Sequence, residues 1–324
     1  MFRLPEAWVW DFWLADDGES YHLFFLYASR ALGDPDARHH RASVGHAIST
    51  DLVHWERVRD ALVRSDAPAF DDLATWTGSV VKHPDGTWFL FYTGATLDAD
   101  GRNVQRIGYA TSRDLTRWEK SADNPVLEAD SRWYEQVGDD QWPDEAFRDP
   151  FVFRDPDGAG WHMLITARAN NGPADDRGVI GHATSPDLRH WTIGPPLSGP
   201  GQGFGQLEVS QVEVIHGQPF IIFSCLDGEI ASSRRLAGVT GGVWAATAGS
   251  LLGPYGINAA VQLTDRSLYS GRLIQERSTG DWKFMAFHHD GDSGAFVGEI
   301  SDPLNVHVVG GVITLTHPQL PATA

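Results

Sequence analysis

Cysteine is almost absent: Cys225 is the only one among 324 residues. No internal disulfide can form, and no Cys/His spacing matches a structural zinc site. Cys225 is expected to be a small buried residue in a strand. Basic residues are scarce as well. Lys and Arg number 25 against 43 Asp and Glu, giving a formal charge of −18, whereas a polyanionic backbone needs a basic patch to release its counterions. No nucleic acid partner is expected. No run reaches 18 apolar residues, and the opening MFRLPEAWVWDFW has neither a basic n-region nor a long apolar h-region. The expectation is a soluble, cytoplasmic protein with no membrane partner. Without a Walker loop or a dinucleotide fingerprint no organic cofactor is expected, and no EF-hand pattern supports a calcium ion in an acidic loop. His39 and His40 sit in a charged RHHR stretch that reads as a solvated loop rather than a metal site. No proline-rich, serine-rich or charge-block linker divides the chain, so residues 1–324 are expected to form a single domain.

What is present is a repeat. GHAISTDLVHW starts at Gly45, GYATSRDLTRW at Gly108 and GHATSPDLRHW at Gly181, with a degraded GEISDPL from Gly298. Starts recur every 60 to 70 residues or so, and five such periods fit the chain. Within each period lie short β-branched and aromatic runs, such as SVVKHPDGTWFLFYTG and QVEVIHGQPFIIFS, joined by Asp-Gly or His-Gly pairs that suit hairpins. A repeated antiparallel meander that cannot bury both faces alone predicts an all-β, five-bladed β-propeller. In the S-x-D-L-x-x-W element the Ser and Asp are expected to close a turn. Trp55, Trp118 and Trp191 would then pack between blades.

Propellers bring the innermost strand of every blade to one axis. Those strands are expected at WDFW (10–13), WTGS (76–79), RDP (148–150), LEVSQVEV (207–214) and LYSGR (268–272). Three of them carry a carboxylate among apolar neighbours: Asp11, Asp149 and Glu208. Burying an acid is costly unless it is paired or used, and three on one axis point to chemistry. Glycoside hydrolysis requires such a set, one carboxylate at the anomeric carbon and a second carboxyl to protonate the leaving oxygen. Asp16, Asp17, Asp85, Asp139, Asp140 and Asp157 lie in polar or glycine-flanked stretches and read as turn acids. Trp10, Trp13, Trp76, Trp142 and Tyr269 offer apolar walls for a sugar, with Arg148 and Arg272 to meet its hydroxyls.

VWDFW at 9–13 resembles the V-W-D-S-W nucleophile motif of glycoside hydrolase family 68, and AFRDPFVFRDPDG from Ala146 resembles the R-D-P segment of the fructan-active clan of families 68 and 32. WTGS is similar to the W-S-G-S strand of family 32, and LEVSQVEV to its E-C-P-D strand. This resemblance implies a retaining β-fructofuranosidase or fructosyltransferase acting on sucrose or short fructooligosaccharides. Asp11 would be the nucleophile, Asp149 the transition-state stabiliser acting with Arg148, and Glu208 the general acid and base. Trp10, Trp76 and Ser79 would line the fructosyl subsite. Two residues depart from the pattern: Val209 stands where Cys or Arg usually follows the acid, and Leu26 where family 32 usually has Gln, which favours family 68 or a divergent branch. The chain also leaves no room for the β-sandwich typical of family 32, and it is shorter than the usual family 68 enzyme, which suggests trimmed loops and favours hydrolysis or short transfer over polymer synthesis. The competing readings are an inverting arabinosidase or xylosidase resembling family 43, and a noncatalytic carbohydrate-binding propeller.

Overall fold

A computed structural model describes residues 1–139, 142–158, 160–291 and 294–318. Five antiparallel sheets follow one another along the chain, each a meander running outward from an innermost strand. The five innermost strands are Ala7–Asp16, Ala74–Lys82, Phe147–Arg154, Glu208–Ile215 and Leu268–Gln275. They belong to blades one to five. Each packs beside the next, and the fifth packs beside the first, which closes the ring. The closure is reinforced at its seam, where Phe2 and Ile300 exchange two backbone hydrogen bonds of 2.9 Å and tie the start of the chain to blade five. The expected five-bladed β-propeller is the observed fold.

Local chemistry explains the turns. In the hairpin of blade four, His216 (φ 50°) and Gly217 (φ 81°) both occupy the left-handed region, as a two-residue turn of type I′ requires. In the repeated element, Ser49 Oγ accepts from the amides of Asp51 and Leu52, and Asp51 Oδ1 accepts from Val53 and His54. The indole of Trp55 donates back to the Leu52 carbonyl at 3.0 Å. Trp118 and Trp191 make the same bond to Leu115 and Leu188. Trp118 of blade two stands edge-on against Phe24 of blade one, and Trp191 of blade three against Phe91 of blade two. The element is therefore a turn with an interblade anchor. Cys225 ends a strand of blade four and is fully buried.

Every innermost strand breaks register once, at the same level. Trp10, Trp76, Arg148, Glu208 and Tyr269 are each the last residue paired with the second strand before a one-residue bulge. The residues that follow are Asp11, Thr77, Asp149, Val209 and Ser270. Bulges bend a strand and re-aim its side chains. Here they do so five times around one axis. In blades three to five the bulged residue is left-handed, with φ of 58° at Asp149, 53° at Val209 and 50° at Ser270. That region disfavours side-chain-bearing residues and β-branched ones most. In blade two, Gly78 follows the bulge, and a Cβ there would fall 1.8 Å from the Phe91 carbonyl oxygen.

Further along the blade-four strand, burial pushes the Glu213 carboxyl up to about 7 from its usual 4.5, with one hydrogen bond from Gln211 opposing the rise. A raised carboxyl favours the native state while protonated, and that contribution is lost as pH rises through about 7. Glu213→Gln removes the ionisation and keeps an acceptor for Gln211. Its melting temperature should exceed that of the wild type at pH 8.5, and the gain should fade towards pH 5. A variant less stable than the wild type at both pH values would refute this.

Candidate active site

The bulges build the floor and walls of a cavity of about 530 Å³ at one end of the propeller axis. All five residues paired just before the bulges line it: Trp10, Trp76, Arg148, Glu208 and Tyr269. So do Asp11, Thr77 and Asp149 from the bulges themselves. The three acids expected from the sequence thus open into one space. They occupy two levels, with Asp11 and Asp149 on the bulge and Glu208 one residue earlier.

Asp11 is gripped from both neighbouring blades by equivalent residues. Thr77 Oγ1 donates to Oδ2 and Ser270 Oγ donates to Oδ1, each at 2.5 Å. With both oxygens fixed, the carboxylate cannot rotate freely. Burial raises its proton affinity, as does the charge of Glu208, against the two hydroxyl bonds and Arg272. Asp149 Oδ2 accepts from Thr166 Oγ1 at 2.8 Å and from the Val209 amide at 3.2 Å. Burial lifts its carboxyl to about 7; Arg148 opposes the rise, and the negative charges of Asp11 and Glu208 add to it. Val209 therefore serves this site through its backbone, and the strained φ is what points its amide at Asp149.

Glu208 is held by two donors, Arg148 Nη2 on Oε1 and the Tyr269 hydroxyl on Oε2. Arg148 also reaches the side-chain oxygens of Gln206 and Gln105, and its Nε lies 3.7 Å from Asp149 Oδ2. One guanidinium thus spans two of the acids. Coulombic attraction to both keeps it protonated despite burial.

Several wall residues were not picked out from the sequence. Glu229 enters from the loop after the second strand of blade four, and its carboxyl is raised by burial and by the charge of Glu208. Asp144 joins it on the wall. The 3₁₀ segment Pro35–Arg41 of blade one supplies Arg38 and His39. Arg38 is buried over the rings of Phe296 (3.8 Å) and Trp10 (5.5 Å). His39 stands edge-on between Trp10 and Trp76, and its carbonyl accepts from the Trp76 indole at 2.7 Å. Desolvation in the cavity wall and the charge of Arg38 lower its imidazole below the usual range, although the residue remains open to solvent. RHHR lines the cavity through Arg38, His39 and His40; Arg38 is buried, while His39, His40 and Arg41 are exposed, as expected of a solvated stretch.

Two site assignments change, those of Ser79 and Arg272, and two further candidate walls, Trp13 and Trp142, are packing residues. Ser79 does not line the cavity; its Oγ accepts from the Val152 amide at 3.0 Å and ties blade two to blade three. Arg272 also lies off the cavity wall, fully within the protein. Trp13 is core, stacked on Phe24, and Trp142 packs on Arg168 at 3.9 Å. Alternation accounts for Ser79 and Trp13: both lie beyond the bulge, where the strand has left the mouth. The acids assigned to turns are in turns. Asp16, Asp17, Asp85 and Asp139 accept backbone amides close by in sequence, and Asp157 sits in an exposed turn. Asp140 lies outside the described residues.

A five-bladed propeller with two buried carboxyls and a half-buried third, a bridging arginine and indole walls around one axial cavity has the make-up of a carbohydrate-active domain. Comparison with known proteins makes the class specific. Residues 13–243 match the glycosyl hydrolases family 32 N-terminal domain. The chain belongs to glycosyl hydrolase family 32. The matched span contains Asp149 and Glu208 and begins just after Asp11. The Leu26 departure had favoured family 68 or a divergent branch; the matched family is 32.

Over 130 residues the chain is 36% identical to a fructan 1-exohydrolase of Leymus chinensis and 38% identical to fructan 1-exohydrolase w1 of Triticum aestivum. Each alignment covers 39% of this chain, which spans about a fifth of the length of those relatives. Among solved structures, an inulosucrase from Halalkalicoccus jeotgali bound to kestose superposes with a TM-score of 0.79 at 22% identity, over 97% of this chain and 88% of that one. A family 32 β-fructofuranosidase mutant from Bombyx mori in complex with sucrose gives 0.67 at 19% identity, over 97% and 65%. A sucrose-6-phosphate hydrolase from Lactobacillus gasseri gives 0.73 at 18% identity, over 97% and 63%.

Proposed function

We propose that the chain is a retaining β-fructofuranosidase that acts on sucrose or short fructooligosaccharides, with transfer to a second sugar as a side reaction. The observation that carries this reading is the clamping of Asp11 by Thr77 and Ser270 at the cavity floor, with Glu208 and Asp149 on the same cavity. A carboxylate fixed at both oxygens is preorganised to attack one point. Family membership and the sugar-bound structural neighbours support a fructosyl substrate.

In this reading the terminal fructosyl unit lies between Trp10 and Trp76. Glu208 gives its proton to the glycosidic oxygen as the bond to C2 breaks, and Asp11 bonds to C2, giving a covalent fructosyl-enzyme. Water then gives a proton back to Glu208 and displaces Asp11. Asp149 and Arg148 hold sugar hydroxyls while positive charge develops on the ring. Tyr269 and Arg148 hold the two oxygens of Glu208 in place through both steps. Glu229 lines the same cavity, and burial and the charge of Glu208 raise its carboxyl.

Methanolysis of sucrose tests the reading. Two displacements at C2 yield methyl β-fructofuranoside, identified by NMR before it is hydrolysed. The α-anomer would show inversion and exclude a covalent intermediate, and turnover of arabinosides but not sucrose would move the substrate to a different sugar.

A further inference from the structure

Arg272 is the least expected residue of the centre. It is 3% exposed, sits on the blade-five strand three residues beyond Tyr269, and its guanidinium reaches into three other blades. Nε donates to the Phe12 carbonyl of blade one at 3.0 Å, Nη1 to Val209 and Ser210 of blade four at 3.2 and 3.5 Å, and Nη2 to Gly78 of blade two at 3.5 Å. Each acceptor lies in a bulge or next to one, so Arg272 binds the carbonyls that the bulges release from the ladder. Among the described residues no carboxylate oxygen is within its hydrogen-bond reach, yet Asp11 and Asp149 both interact with its charge. A buried cation bound only to neutral carbonyls is expensive unless anions stand nearby.

We propose that Arg272 is a positioning residue which plugs the channel beneath the cavity and supplies the counter-charge for Asp11 and Asp149. This deepens the reading above and rests on it for the roles of the two acids. The charged groups around Asp11 are Glu208, Asp149, Arg38 and Arg272; those around Asp149 are Arg148, Asp11, Glu208 and Arg272. Arg148 serves Glu208 and Asp149, leaving Arg272 as the cation that faces both bulge acids. Burial lowers the guanidinium only to about 10, so it carries its charge throughout the working range. By clamping the bulges of blades one, two and four, it also fixes the backbone from which Asp11 and the Val209 amide project.

The test compares Arg272→Gln, which can still donate to carbonyls but is neutral, with Arg272→Lys, which keeps the charge and loses the fork. In the pH profile of kcat/KM on sucrose, the Gln variant should move the acid limb up by about one to three pH units, while Lys restores it towards the wild type. Titration of ¹³C-labelled Asp carboxyls by NMR reads the same shift without turnover. If the wild type processes no fructoside, the proposed function fails, yet this titration still decides the role of Arg272. A folded Gln variant with unchanged Asp titrations, or equal shifts in the Gln and Lys variants, would overturn the proposal. Should Arg272→Gln not fold, the substitution is made together with Asp11→Asn and Asp149→Asn. Recovery of folding is expected, because no charge remains to be balanced, and failure there would make Arg272 a carbonyl clamp only.

Discussion

Asn at position 11 is expected to lower kcat on sucrose by about 10⁴-fold or more while raising the melting temperature at pH 8. Both effects come from one geometry. The amide fits the site: its oxygen accepts from one of the two hydroxyls, and its nitrogen donates to the other, since Thr77 and Ser270 can each donate or accept. The nucleophilic oxygen pair is gone, and so is the burial cost that raises the Asp11 carboxyl. A group whose proton affinity is raised by folding destabilises the native state above that range. Removing it therefore stabilises most at alkaline pH. Activity and stability should move in opposite directions, measured by steady-state kinetics and thermal denaturation on the same preparation. Turnover within tenfold of the wild type would remove Asp11 from the chemistry.

The second large effect is leaving-group selective. Glu208→Gln should cost about 10²- to 10⁴-fold on sucrose, the usual range for a general acid, but far less on fructosyl fluoride, whose leaving group needs little protonation. The Gln oxygen accepts from Arg148 and its amide nitrogen donates to the Tyr269 hydroxyl, so the fork across Glu208 and Asp149 is not left without a partner. Equal losses on the two substrates would assign Glu208 to binding rather than proton transfer.

The propeller was legible because its repeat carries a turn chemistry that leaves a sequence trace: Ser and Asp at fixed spacing, a left-handed Leu, and Trp55, Trp118 and Trp191 as anchors. The acids were legible because the inner strands are otherwise apolar, so Asp11, Asp149 and Glu208 stand out against their neighbours. The bulge was not. A one-residue slip reverses which side chains face the axis, and this is why Ser79 and Trp13 look equivalent to cavity residues and are not. Thr77 and Ser270 were overlooked for the same reason: as hydroxyls in strands they are unremarkable until the register places them on either side of Asp11. Glu229, Asp144, Arg38 and His39 come from connections between strands, where alternation gives no guidance. Arg272 was recognised as a charged residue of the centre but placed on the sugar side, because charge in the sequence does not say on which side of the acids it lies.

The covalent step at Asp11 can be observed directly. Glu208→Gln incubated with fructosyl fluoride should form the fructosyl-enzyme and hydrolyse it slowly, and proteolysis at low pH followed by mass spectrometry should locate one fructosyl group on the peptide that contains Asp11. An adduct on Asp149, or none at all while fluoride is released, would contradict Asp11 as the nucleophile.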